Sequence, residues 1–257
     1  MKVYFIGAGP GAPDLITLRG AQILARAPMV LYAGSLVSCE MLAHCRSDAE
    51  IIDTAKLDLD EQEACYLRAR EKGWDVARLH SGDPAVYGAT AEQMRRLDRQ
   101  GIAYEVVPGV SSFTSAAAAL KAELTKPEVS QTIILTRTSG RASSIPEKES
   151  LQLLATHRAT LCIFLSGANL QQIVADLMVS YPPTTPVALV QKATWPQEKL
   201  HRSTLGCLLD QINTQDWHLS TMLLVGDVLD DKVVGESRLY AANYSHRFRK
   251  AVRRTCT

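Results

Sequence analysis

No apolar run in the 257-residue sequence approaches the roughly 20 residues that a membrane-spanning helix needs. The first residues lead straight into a β-prone segment, without the basic stretch, apolar run and cleavage site of a secretory signal. The six cysteines, Cys39, Cys45, Cys65, Cys162, Cys207 and Cys256, are scattered and include no C-x-x-C pair. These absences predict a cytoplasmic chain with reduced thiols, no disulfide framework and no metal site. Charge of one sign is lacking too: 28 Lys and Arg stand against 27 Asp and Glu. No global field would therefore draw the chain to nucleic acid or to a membrane. What is present suits a globular enzyme, with 46% hydrophobic and 21% charged residues and length for one large or two modest domains.

Strand and helix signals alternate along the chain. Lys2 to Ile6, Met29 to Tyr32, Ile51-Ile52, Val76 to His80 and Tyr104 to Val107 read as strands, the second of them buried. Between them a helix follows Thr17, a charged periodic helix runs from Asp58 to Lys72 and stops at Gly73, and another runs through Ala91 to Arg99. After Pro108-Gly109, Ser112 to Leu120 is an alanine-rich helix. The second half offers strands at Gln131 to Thr136, Leu161 to Leu165, Val187 to Val190 and Met222 to Val225, and a helix from Asn169 to Met178. A polar stretch from Arg137 to Glu149 reads as an exposed loop. The alternation predicts an α/β class with a largely parallel sheet. We expect an N-terminal domain over 1–113, a C-terminal domain over 114–230 and a tail over 231–257.

Three loops follow strands and are rich in residues with special backbones. In Gly7-Ala8-Gly9-Pro10-Gly11 the glycine spacing is not that of a dinucleotide fingerprint, Pro10 lacks an N–H for phosphate, and the second strand ends at Tyr32-Ala33-Gly34 without a ribose-binding carboxylate. The loop reads either as a plain tight turn or as a turn that lets a ligand approach bare backbone. Ser81-Gly82-Asp83-Pro84-Ala85-Val86-Tyr87-Gly88 fits a connector and a ligand loop equally. In Val107-Pro108-Gly109-Val110-Ser111-Ser112 the hydroxyls suit a helix cap as well as a ligand contact.

Taken together, these three loops resemble the tetrapyrrole methylase family. Tyr32 to Val37, Pro127 to Thr132 with Leu135-Thr136-Arg137, and Ala193-Thr194-Trp195-Pro196 resemble its branch that methylates C11 of precorrin-4 or cobalt-precorrin-4. The match runs in order to about Gly226, and Ser237 to Tyr240 resembles the family's tail. The resemblance implies two α/β domains with S-adenosylmethionine between them, a homodimer, and methylation of an anionic tetrapyrrole in cobalamin synthesis. It places the cofactor against Pro10, Ser81, Gly82, Asp83, Val86, Ser111, Ser112, Leu165 and Ala193. Ala33 stands where the uroporphyrinogen-methylating relatives carry an acid, and Ala12 stands where many relatives carry aspartate.

A substrate with many carboxylates asks for cations in the cleft. Lys56, Arg137, Arg141 and Lys192 are candidates, each equally readable as a solvated surface charge. Glu128 is a further substrate-positioning candidate. Glu128 and His80 are also available as proton acceptors, though a structural role suits either; no general base is assigned. The basic, aromatic tail from Tyr244 to Arg254 resembles an RNA-binding stretch only superficially, and packing against a partner subunit or fraying suits it better. Competing functions are methylation of another tetrapyrrole position, of RNA or of protein on the same scaffold, and a non-enzymatic tetrapyrrole carrier.

Overall fold

Five strands of the first half pair side by side into one parallel sheet. They are β1 (Lys2–Gly7), β2 (Met29–Tyr32), β3 (Glu50–Asp53), β4 (Val76–His80) and β5 (Ala103–Val107), in the order β3-β2-β4-β1-β5. Every neighbouring pair is parallel, with Gly7 opposite His80 and Ile6 opposite Val107. A parallel sheet is covered on both faces, and all five residues of its central strand β4 are buried, the polar Arg78 and His80 among them. The computed structural model describes residues 1–138, 144–165, 169–217, 219–233, 237 and 241–251.

Helices cover the two faces of this sheet. On one, α1 (Leu18–Leu24) places Ile23 and Leu24 against Ile6, Val30, Leu79 and Val107. On the other, α2 (Leu59–Glu71) and α3 (Thr90–Arg99) bring Tyr66 and Leu97 onto Phe5, Leu31 and Val76. Each fully buried side chain of this size contributes about 1.5–3 kcal/mol. Local chemistry fixes the helix starts. Thr17 accepts from the Gly20 amide at 3.2 Å to begin α1. Asp58 and Glu61 form a reciprocal capping box at α2, each carboxylate accepting from the other's amide at 2.9 Å. Helix α4 (Ser112–Ala119) closes the segment.

The second sheet has the order β6-β7-β10-β8-β9, from β6 (Ile133–Arg137), β7 (Thr160–Leu165), β8 (Pro186–Gln191), β9 (Lys199–Thr204) and β10 (Thr221–Val225). It is mixed rather than parallel throughout: β6 pairs parallel with β7, and β10 antiparallel with β7. Its helices are α5 (Leu151–Ala155), α6 (Leu170–Met178) and α7 (Leu208–Gln211). Asn169 caps α6 by accepting from the Gln171 amide at 3.0 Å. Leu161, Ile163, Leu177, Leu189 and Leu223 form the centre of its core.

The chain divides into two compact units, Met1–Ala119 with Gln191–Lys199, and Leu120–Val190 with Leu200–Thr257. The continuous boundary read from the sequence, between 113 and 114, falls inside α4, and it has no counterpart to the excursion at Gln191–Lys199.

Candidate active site

In the first unit the loops after β1, β4 and β5 meet at the carboxyl ends of their strands. The Gly9 amide donates to the Gly82 carbonyl at 3.2 Å, and the Gly82 amide donates back to the Gly9 carbonyl at 2.7 Å. The third loop is pressed against both: a Cβ on Gly109 would lie 2.2 Å from the Gly82 carbonyl oxygen and 2.6 Å from Gly7 Cα. Only glycine allows this backbone-to-backbone approach. Gly82 has φ +65°, and its open side faces Ser111 and Ser112, whose nearest atoms would stand 3.6 Å from an added Cβ. Asp83 fastens the arrangement. Its Oδ1 accepts from the Ala85 amide and its Oδ2 from the Gly109 amide, both at 2.8 Å.

A fourth segment, Gln191–Lys199, packs on the first loop. The indole N–H of Trp195 donates to the Pro10 carbonyl at 2.8 Å. The Ala12 amide donates to Thr194 Oγ1 at 3.0 Å. A Cβ on Gly11 would strike the indole at 2.2 Å, so Trp195 lies flush on bare backbone there. Lys192 and Thr194 both take left-handed backbone, at φ 50° and 69°, on either side of buried Ala193. Non-glycine residues adopt that region rarely, and here two flank the small residue named as a cofactor contact.

Beside the second of these loops the first unit holds a cavity of about 720 Å³, walled by Ala33, Leu36, Leu57, Tyr87 and the starts of α2 and α3. Arg78 and His80, on one face of β4, form part of its lining and are only 5% and 6% exposed. Arg78 Nη1 donates to Thr54 Oγ1 at 3.0 Å and to the Leu79 carbonyl at 3.4 Å; Nη2 donates to Gln62 Oε1 and Nε to Gln93 Oε1, both at 3.3 Å. Burial pulls the Arg78 guanidinium below its ordinary pKa, with the nearby Tyr66 hydroxyl opposing. Burial, aided by the adjacent Arg78 charge, pushes His80 down to about 3, so its ring is neutral. Its Nε2 is buried and has no hydrogen-bond partner among the described residues.

The residues expected at the cofactor are distributed as follows. Pro10, Ser81, Gly82, Asp83, Val86, Ser111, Ser112 and Ala193 belong to the first unit, and the contacts above bring Pro10, Gly82, Asp83, Ser111, Ser112 and the neighbours of Ala193 into one cluster of loops. Leu165, 5% exposed, ends β7 in the second unit. Of the cation candidates, exposed Lys56 adjoins the cavity residue Leu57. Arg137 ends β6 and exposed Glu128 sits at φ 65°, both in the second unit. Arg141 lies outside the described residues. Sequence reasoning missed Arg78 as a site residue, although an arginine inside the otherwise buried run Val76–His80 was a visible signal. It missed the indole of Trp195 as the cover of Gly11. It also missed Asp53, whose Oδ1 accepts from the Gly34 and Ala55 amides, both at 2.9 Å; these bonds hold the carboxyl below the usual range.

A parallel sheet whose switch-point loops bare their backbone beside a cavity defines a small-ligand enzyme of the α/β type. The model of the tetrapyrrole (corrin/porphyrin) methylases matches residues 2–209, and the chain belongs to that family. It is 49% identical over 249 residues to a precorrin-4 C(11)-methyltransferase of Sinorhizobium sp, an alignment covering 97% of this chain and 98% of that one. Among solved structures it is similar to a cobalt precorrin-4 methyltransferase, with TM-score 0.85 and 45% identity over 89% of this chain and 96% of the other. It is also similar to a uroporphyrin-III C-methyl transferase of Thermus thermophilus complexed with S-adenyl homocysteine, with TM-score 0.74 and 26% identity over 89% and 99%.

Proposed function

We propose that the protein transfers a methyl group from S-adenosylmethionine to C11 of precorrin-4, in the assembly of the corrin ring. The observation that carries this reading is the cluster of bare-backbone loops, Gly7 to Gly11, Ser81 to Gly88 and Pro108 to Ser112, the second of which lines the 720 Å³ cavity through Ser81, Tyr87 and Gly88. The donor set fits the cofactor. These loops present main-chain carbonyls and amides and the Ser111 and Ser112 hydroxyls, and no group of three or more metal-ligating side chains occurs among the described residues. Pro10, Ser81, Gly82, Val86, Ser111, Ser112 and Ala193, all of the first unit, would hold the cofactor largely through main chain and shape. Asp83 acts on the loops, because its two oxygens are engaged by Ala85 and Gly109.

S-adenosylmethionine, when bound, supplies a methyl group already activated by its sulfonium. The chain's own work is then to align that methyl with a nucleophilic ring carbon and to keep water out. Rigid neutral loops suit this task, because overstabilising a positive sulfonium before transfer would raise the barrier. The substrate reading extends to an anionic tetrapyrrole taken up by a homodimer in the cytoplasm; no described helix is long and apolar enough to cross a membrane.

The decisive experiment offers the protein isotopically labelled S-adenosylmethionine with precorrin-4, with and without cobalt, and reads the product by mass spectrometry. One added labelled methyl at C11 is the expected result, and the arm in which it appears assigns the cobalt state. Titration with S-adenosylmethionine that shows no binding, or label that goes to RNA or protein instead, rejects the proposal.

A further inference from the structure

The wall of the cavity contains a charge that the fold does not neutralise. Arg78 is 5% exposed, yet its side-chain partners Thr54, Gln62 and Gln93, and the Leu79 carbonyl, are all uncharged. No acidic side chain pairs with it among the described residues. A guanidinium taken out of water is ordinarily matched by an anion, and burial without one is disfavoured. Its N–H groups go to these uncharged acceptors, with the Tyr66 hydroxyl against the guanidinium as well, and none of them cancels the charge.

A further feature points the same way. Helix α3 is ten residues long and opens on Ala89, at φ 48°, with no side-chain cap, so its first-turn amides and positive dipole end are not occupied by a capping oxygen. Ala89, Gly88 and Gln93 line the cavity. His80, in the same wall, is neutral and bonds the Gly88 backbone, so it adds no charge that would compete with Arg78. The acids of the rim are largely engaged: Asp58 caps α2, and Asp60 is held by Arg96 at 2.5 Å. Glu92 stands in the first turn of α3.

We infer that Arg78, together with the uncapped start of α3, is the receptor for one carboxylate side chain of the substrate. The inference rests on the proposed activity for the identity of that substrate, a tetrapyrrole with acidic side chains, and on the cavity alone for the anion. The guanidinium supplies the charge, and the helix start supplies the amides that meet the carboxylate. Gln62, Gln93 and Thr54 hold the fork in place, with the Tyr66 hydroxyl donating to Gln93 Oε1 at 3.0 Å. A carboxylate anchored here fixes the rotation of the macrocycle beside the methyl-donor loops, so Arg78 governs which ring position is presented.

R78Q removes the charge and keeps an amide for the neighbouring polar groups. We expect a folded protein with nearly unchanged melting temperature, because an uncompensated buried charge has been removed. Its KM for precorrin-4 should rise at least about tenfold with kcat much less affected, and its affinity for uroporphyrin, a stable polycarboxylate tetrapyrrole, should fall by a similar factor in fluorescence quenching. S-adenosylmethionine affinity should stay at the wild-type value. Unchanged KM and uroporphyrin affinity in folded R78Q overturn the inference while leaving the methyltransferase reading intact. A wild type that binds uroporphyrin through Arg78 yet does not methylate precorrin-4 overturns that reading instead. If R78Q does not fold, the ring resonances of His80 in the wild type carry the test: they shift on adding uroporphyrin if the receptor is real, and unmoved resonances overturn it.

Discussion

The Gly109 amide donates to Oδ2 of Asp83 at 2.8 Å, which ties the loop after β5 to the loop after β4. A carboxylate that sequence reasoning offered as a ligand for the cofactor is therefore occupied in shaping the site. A charge-assisted hydrogen bond of this kind contributes about 1.5–3 kcal/mol. We expect D83A to lower stability by that amount and S-adenosylmethionine affinity by about tenfold. D83N, which keeps one acceptor oxygen, should lose less of both. Calorimetric titration and urea unfolding of the two variants measure this; equal losses would contradict it.

Gly109 and Gly101 test the packing of bare backbone. A methyl on Gly109 meets backbone atoms at 2.2 and 2.6 Å, and neither the Gly82 carbonyl nor Gly7 can yield without moving a strand end. Gly101 has φ +64° with nothing within 4 Å of an added Cβ. G101A should therefore cost about 1–2 kcal/mol, the strain of a left-handed alanine. G109A should cost at least about 3 kcal/mol. The urea midpoints decide it, and G109A as mild as G101A would mean that the three loops are not in contact.

Trp195 separates a local from a global effect. W195F keeps an aromatic ring over Gly11 but loses the N–H to the Pro10 carbonyl, a loss of about 1 kcal/mol. W195A uncovers the first loop altogether. We expect a small rise in the KM for S-adenosylmethionine in W195F and a larger one in W195A, read in steady-state methyl transfer. The two variants behaving alike would rule out the indole as the cover of that loop.

His80 sets a pH limit on stability. Its folded pKa of about 3 lies below the ordinary 6.5, so the unfolded chain binds the extra proton between those values. The stabilising contribution is complete above pH 6.5 and is lost progressively as pH falls toward 3. At pH 5 the loss is about 2 kcal/mol relative to neutral pH. Thermal melts between pH 7 and 5 should show this slope in the wild type and a flatter one in H80N; parallel profiles would refute it.

Much of the fold was legible because its signals are local. Met29 to Tyr32 is a continuous apolar run, Val76, Ala77 and Leu79 mark β4, and the ends of α2 are written as Asp58-x-x-Glu61 at one side and Gly73 at the other. Strand β9 was not legible: Lys-Leu-His-Arg-Ser-Thr is partly or fully exposed along its length and has no apolar alternation. Helix α5 has five residues, too few to show a period. The mixed second sheet followed from pairings between distant segments, which no local pattern encodes. At the site, glycines and prolines announced the loops, but not which backbones touch. Arg78 shows the limit most clearly, since its meaning depends on Gln62, Gln93 and Thr54, three residues brought to it from other elements.

The short excursion at Gln191–Lys199 bears on how this protein can be taken apart. Because Trp195 and Thr194 cover the first loop from a point far along the chain, the first unit is not one stretch of sequence. A fragment ending at Ala119 would hold the whole parallel sheet and yet lack the lid of its own first loop. No single cut of the chain therefore separates the two units with each intact.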